Sequence, residues 1–127
     1  MENHNIPTLY HYVGKVVKAY DGDTCTVEVD LGFKLTARIK VRMLGINTPE
    51  IRTKDLEEKK KGHEAKDYFR LRVLDKKVII HTTKKGKFGR WLGTIWVFPE
   101  KGQPLGESVN DEMVRLGYAE SYDGGKR

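Results

Sequence analysis

The stretch Val41-Arg42-Met43-Leu44-Gly45-Ile46-Asn47-Thr48-Pro49-Glu50 carries an arginine on a strand pattern and then breaks at a Thr-Pro-Glu corner. Upstream, Asp21-Gly22-Asp23-Thr24 sets two aspartates on a turn. Each loop leaves a carboxylate beside a strand end. If the two loops meet, they enclose an oxygen-rich pocket with a guanidinium at its edge, which suits a hard divalent cation and a phosphodiester. Asp23, Asn47, Thr48 and Glu50 are the candidate metal donors. A plainer reading stands beside this one. Aspartate in an Asp-Gly turn, and asparagine before Thr-Pro, often only cap their own turns.

Arg42 shares the polar face of its strand with Arg38 and Lys40. That face is either a solvated basic surface or a place where a guanidinium binds phosphate through two parallel hydrogen bonds. Further on, Lys84-Lys85-Gly86-Lys87-Phe88-Gly89-Arg90 is basic and glycine-rich. Gly86 and Gly89 would let the backbone approach a phosphate, although the Gly-Lys-Ser/Thr ending of a nucleotide-binding P-loop is missing. The alternative is a flexible basic hairpin loop. Phe88, between Lys87 and Arg90, is the best candidate for stacking on a base, whereas Trp96 reads as core. His4, His11, His63 and His81 show no ligand spacing and read as surface or structural residues.

These residues need a frame. The chain has 127 residues, 38% apolar and 33% charged, with a net charge of +6 and a pI near 9.4. That is one domain's length, with enough apolar sequence for a single core and a basic balance that favours a polyanionic partner. Cys25 is the only cysteine, which excludes an internal disulfide, and its strand position makes it a buried structural thiol. No run approaches membrane-span length, and the first residues lack the pattern of an export signal. The chain therefore reads as an intracellular protein, or as an exported one in its mature form.

Periodicity places the pieces. Residues 1–11 read as a loose arm, 12–122 as one domain and 123–127 as a tail. Tyr12 to Tyr20 reads as a strand with Val13, Val17 and Ala19 inward. Thr24 to Leu31 turns Cys25, Val27, Val29 and Leu31 inward. Lys34 to Met43 does the same with Leu35, Ala37, Ile39, Val41 and Met43. Arg52 to Lys61 has five basic and three acidic residues and reads as a mobile exposed loop. Glu64 to about Leu74 reads as a helix, with Ala65, Phe69 and Val73 on one stripe that Tyr68 widens. Val78 to Thr83 and Leu92 to Phe98 are two more strands. A last helix is capped by Ser108, with Asp111 in capping-box position, and stops at Gly117. Three strands, a helix, two strands and a helix define an α+β, mainly β, chain compatible with a five-stranded OB-like barrel.

Taken in order, Asp21-Gly22-Asp23-Thr24, Val41 to Glu50, Gly62-His63-Glu64-Ala65, Phe88-Gly89-Arg90 and Val109-Asn110 resemble the staphylococcal nuclease (thermonuclease) family. The resemblance runs from about Tyr12 to Tyr122. It implies a five-stranded OB barrel with packed helices, and a Ca²⁺-dependent phosphodiesterase that cuts DNA and RNA and leaves 3′-phosphates. By position it implies Asp23 and Asn47 as metal ligands, with Thr48 offering its carbonyl. Glu50 would hold or deprotonate the attacking water, and Arg42 and Arg90 would bind the phosphate. Lys87, Phe88 and Tyr122 lie near nucleotide-contacting positions.

Three departures accompany the resemblance. Asn47 stands where aspartate is usual, so one negative charge is lost and metal affinity should fall. His63 replaces a usual proline. The chain also ends soon after Tyr122, where the family's third, C-terminal helix is expected, so that helix is expected to be absent. A calcium-dependent endonuclease of low sequence specificity is the leading expectation. A non-cleaving OB module that binds nucleic acid or protein is the alternative, and a purely structural scaffold comes third.

Overall fold

Alternating apolar residues bend three consecutive strands into a meander, and two later strands close it. A computed structural model describes residues 9–123. The expected arm, apart from residues 9–11, and the expected tail, apart from residue 123, lie outside the described residues, as does His4. The elements are β1 (His11–Asp21), β2 (Thr24–Gly32), β3 (Leu35–Met43), β4 (Ile46–Asn47), α1 (Leu56–Val73), β5 (Lys77–Lys85), β6 (Trp91–Val97), α2 (Val109–Arg115) and β7 (Glu120–Ser121). The five long strands form a closed barrel in the order β1-β2-β3-β6-β5. All its pairings are antiparallel except β3 with β6, which run parallel over Val41–Met43. This mixed barrel with two helices is the expected OB-like, mainly β architecture. Closure removes the free sheet edges that would otherwise template aggregation.

The core holds Val16, Cys25, Val27, Val41, Met43, Ile80 and Ile95 from the barrel, and Phe69, Val73 and Met113 from the helices. Ala65, Phe69 and Val73 are buried on one stripe of α1, as their spacing predicts. Phe69 is fully buried, and truncating such a residue to alanine costs about 3–5 kcal/mol. Burial pushes the Cys25 thiol up to about 12, so it is inert at neutral pH.

Several local expectations fail, each for a physical reason. In β1 the fully inward residue is Val16, not Val13 or Val17. A register shift between Val16 and Lys18 then brings Ala19 into the core. Such a bulge moves the buried face by one residue, which simple alternation does not reveal. Leu31 and Leu35 are exposed, because the β2–β3 hairpin runs beyond the point where β6 pairs. Trp96 is only partly buried and lies on the outer face beside His11, their rings 5.7 Å apart, while its neighbour Ile95 points inward. The stretch read as a mobile loop contains the first turns of α1. Asp55 caps them, its Oδ1 accepting from the N–H groups of Glu57 (3.0 Å) and Glu58 (3.2 Å). These turns extend past the barrel and bury little, so they carry no apolar stripe, and the cap and the packed turns that follow sustain them. Ser108 caps α2 by accepting from Asp111 N–H, and Gly117 ends it with φ 84°. Among the described residues, no helix is long and apolar enough to cross a membrane.

Candidate active site

The Asp-Gly turn between β1 and β2 meets the corner after β4 because Gly22 leaves room for Thr48, and α1 reaches the same corner because Gly62 leaves room for the corner's backbone. A Cβ on Gly22 would lie 2.8 Å from Thr48 Cγ2 and 2.9 Å from Ala65 Cβ. A Cβ on Gly62 would lie 2.8 Å from Pro49 O and 2.9 Å from Glu50 O. Helix α1 therefore presses through Gly62 on the backbone that carries Glu50, and through Ala65 on the turn that carries the aspartates. Real Cβ atoms do not approach so closely, so glycine at both positions is a packing requirement.

Asp23 is the hub. Its Oδ2 accepts hydrogen bonds from Thr48 N–H (3.1 Å) and Thr48 Oγ1 (3.0 Å), and its Oδ1 accepts from Thr24 Oγ1 (3.2 Å). Arg42 Nη1 lies 3.4 Å from Asp23 Oδ2 and donates to the Met43 carbonyl (3.0 Å). Its Nη2 donates to Asn47 Oδ1 at 3.1 Å. The guanidinium is thus held across Asp23 and Asn47, with its side chain 16% exposed. Burial opposes ionisation of Asp23, but hydrogen bonding with Asp21, the Arg42 charge and the Thr48 donors outweigh it and hold the carboxyl below its ordinary value. Asp21 moves the other way. Burial, then the hydrogen bond and charge of Asp23, push it up to about 6.

These residues line one wall of a cleft of about 1030 Å³. The opposite wall is the β5–β6 connection. Gly86 N–H donates to Arg90 O (2.7 Å) and Gly89 N–H to Gly86 O (3.2 Å), which closes the loop on itself. Gly89 has φ 80°, and a Cβ on Gly86 would crowd Arg90 O at 3.2 Å, so both glycines serve the loop's own turn. Arg90 Cζ lies 5.9 Å from the centre of the Phe88 ring, and Phe88 is 84% exposed. Tyr122 joins the cleft through pairing that periodicity does not reveal. β7 pairs with β4, setting Asn47 against Glu120, and Tyr122 N–H donates to Gly45 O at 2.8 Å.

All nine residues singled out from sequence (Asp23, Arg42, Asn47, Thr48, Glu50, Lys87, Phe88, Arg90 and Tyr122) therefore line this single cleft. Asp21 lines it too, although it is not among the metal donors named from the sequence. Asn110, quoted from the sequence only as part of a family motif and given no role there, is a positioning residue. It is buried on α2, accepts from Ile95 N–H (3.0 Å) and donates to Leu44 O (2.8 Å) and Gly93 O (3.1 Å). It thereby ties the end of the arginine strand to β6.

The oxygen donors on the acidic wall suit a hard cation, and the crowded aspartate pair would ionise more readily beside one. Among the described residues, however, no three acidic, histidine or cysteine side chains converge into a cage. Any cation held here would depend also on backbone carbonyls and water.

The fold and this bipolar cleft define a small nuclease-type OB domain. The chain belongs to the family described as staphylococcal nuclease homologue, whose model matches residues 40–126. It is 34% identical over 92% of its length to an uncharacterized protein of Methanocaldococcus jannaschii. It is 32% identical over 86% of its length to protein ParB of Escherichia coli, and 31% identical over 83% to thermonuclease of Staphylococcus hyicus. The chain spans 62%, 56% and 56% of these relatives' respective lengths.

Proposed function

We propose that this protein is a Ca²⁺-dependent endonuclease that cleaves DNA and RNA with low sequence specificity. The observation that carries this reading is the meeting, across one cleft, of Arg42 and Glu50 with Arg90. A phosphodiester is anionic and repels an incoming nucleophile. Arg42 and Arg90 bind its non-bridging oxygens and act most strongly on the five-coordinate state, where charge is greatest. Glu50 holds a water and takes its proton as the oxygen bonds to phosphorus. The bond from phosphorus to the 5′-oxygen breaks, that oxygen takes up a proton, and the product carries a 3′-phosphate. Asp23, Asn47, the Thr48 carbonyl and Glu50, joined by Asp21, would hold Ca²⁺, which would neutralise phosphate charge when bound. Lys87, Phe88 and Tyr122 would hold the flanking nucleotide. DNA or RNA is the partner, with no membrane involved.

The test is cleavage of single-stranded DNA in Ca²⁺ and in chelator, beside Glu50→Gln and Arg42→Ala. Each variant should lose about a hundredfold to a thousandfold in rate. Tight binding without cleavage at millimolar Ca²⁺ would overturn the hydrolase. That outcome would favour a non-cleaving nucleic-acid- or protein-binding module. One observation leans that way: the Asn47 amide oxygen, a candidate metal donor, already accepts from Arg42. Asn47→Asp should lower the Ca²⁺ concentration needed for half activity, and an unchanged requirement would remove residue 47 from the ligand set.

A further inference from the structure

The arginine strand continues away from the cleft with a second basic feature. In β3, Val41 and Met43 point into the barrel, so Arg42 and Lys40 share the outer face. Lys40 pairs across the sheet with Thr26 of β2, and Thr26 pairs with Lys18 of β1. Tyr20 sits over this row, its hydroxyl 3.0 Å from Thr26 Oγ1. The Lys18 ammonium lies 4.9 Å and the Lys40 ammonium 4.6 Å from the centre of the Tyr20 ring.

Two like charges gathered on one ring repel each other. Among the described residues, neither lysine has a carboxylate partner within ion-pair distance. The ring offsets part of this repulsion through its negative face, and an anion between the ammoniums would offset the rest. The next row differs. There Arg38 is neutralised by Glu28 at 3.0 Å, so the patch ends. Residues two apart on a strand stand about 7 Å apart, on the scale of successive phosphates along an extended single strand.

We infer that Lys18, Tyr20 and Lys40 form a polynucleotide subsite that binds the phosphate next to the one at Arg42, on one side of the cut. This rests on the nuclease reading of the cleft. Lys18 and Lys40 bind the phosphate, and Tyr20 is a positioning residue that holds the two ammoniums together. The subsite favours long single strands over dinucleotides and acts on one side only.

The test measures binding of fluorescent oligothymidylates, from dinucleotide to octamer, by the Glu50→Gln protein in Ca²⁺. Lys18→Gln/Lys40→Gln and Tyr20→Leu are added to that background. Lys77→Gln/Lys101→Gln, at the far end of the β5–β6 pair, removes the same charge as a control. The lysine pair should leave dinucleotide affinity unchanged and weaken octamer binding severalfold more than the control. It should also lower the slope of log K against log salt by about 0.7 for each phosphate no longer neutralised. Tyr20→Leu should lower the same slope part of the way. In the cleaving protein, the lysine variant should lose the rate gained from extending the substrate on one side of the cut and keep the gain on the other. Octamer affinity and salt slope equal to the control would overturn the subsite, as would a parent that binds octamer no better than dinucleotide. Binding through these lysines by a protein that never cleaves even with Glu50 intact would sink the hydrolase and leave the subsite standing. Cleavage by the protein with Glu50 intact, while the lysine variant binds and cuts like the control, would do the reverse.

Discussion

The two walls of the cleft are built in opposite ways. The acidic wall is an extension of the core. Asp23 is buried, each of its oxygens accepts from a threonine, and Gly22 and Gly62 allow the helix to press against its loops. The basic wall, from Lys84 to Arg90, is mostly exposed and is closed by hydrogen bonds within its own loop. Charges that must act without reorganising are fixed by packing, whereas groups that receive a polymer of varied sequence stand in solvent, where they can adapt. Changes on the acidic wall should therefore alter stability and chemistry together, whereas changes at Lys87 and Phe88 on the basic wall should alter binding alone, and a change at Arg90 should lower the rate with little loss of stability.

Asn110→Ala should give the largest stability effect. It leaves Ile95 N–H and Leu44 O without the Asn110 partner, while Gly93 O keeps its bond from Leu44 N–H. At about 1–3 kcal/mol for each of the two groups stranded, a loss of about 2–5 kcal/mol is expected in urea unfolding. A loss below 1 kcal/mol would mean that the arginine strand is held by other means. Gly62→Val comes next. It drives side-chain carbons into the Pro49 and Glu50 carbonyls, and overpacking of this kind costs about 1–3 kcal/mol. Activity should fall further than stability explains, because Glu50 moves with its backbone. Activity that tracks only the folded fraction would remove the link between α1 and Glu50.

The pH dependence follows from the clamp between the two helices. Tyr68 Oη donates to Glu112 at 2.7 Å, and Arg72 Nε donates to it at 2.6 Å. Burial alone would raise the Glu112 pKa, but the Arg72 and Tyr68 hydrogen bonds and the Arg72 charge outweigh it and hold the carboxyl below its ordinary value. A depressed folded-state pKa contributes stability above the unfolded value, and this is lost as pH falls through the folded one. Glu112→Gln should therefore cost about 1–2 kcal/mol at pH 7, with the gap between parent and variant narrowing as pH falls below the ordinary glutamate range. A gap that stays constant throughout acid titration would show that packing, not charge, is what the variant loses. Phe88→Ala should be the smallest effect on stability, within about 0.5 kcal/mol, while oligonucleotide binding weakens about tenfold as a stacking surface is removed. A marked fall in melting temperature would mean that the basic loop is structural after all.

Much of this architecture is legible in the chain. Strict alternation from Thr24 to Val29 and the i, i+4, i+8 stripe from Ala65 to Val73 predict a strand and a helix in the right places, because burial on one face imposes those periods. Legibility stops where burial stops. The first turns of α1 carry no stripe, and the β2–β3 hairpin tip carries an apolar one, yet Phe33 there is 97% exposed. The bulge in β1 and the pairing of β4 with β7 depend on partners distant in sequence, so no local pattern announces them. Gly62 and Asn110 belong to the motifs that suggest the family, but only their neighbours Pro49 O, Leu44 O and Gly93 O give a reason for their identities.

By itself, the order of residue types determined the alternating strands, the helix stripe and the list of groups able to bind phosphate or cation, since periodicity and side-chain chemistry are local properties. Tertiary structure alone decided that nine of those groups share one cleft, that Arg42 spans Asp23 and Asn47, and that burial, together with the neighbouring Asp23, pushes the Asp21 carboxyl up to about 6. Those outcomes depend on distances between loops far apart in the chain. Such distances are fixed by how closely Gly22 and Gly62 let the barrel, the corner and the helix approach.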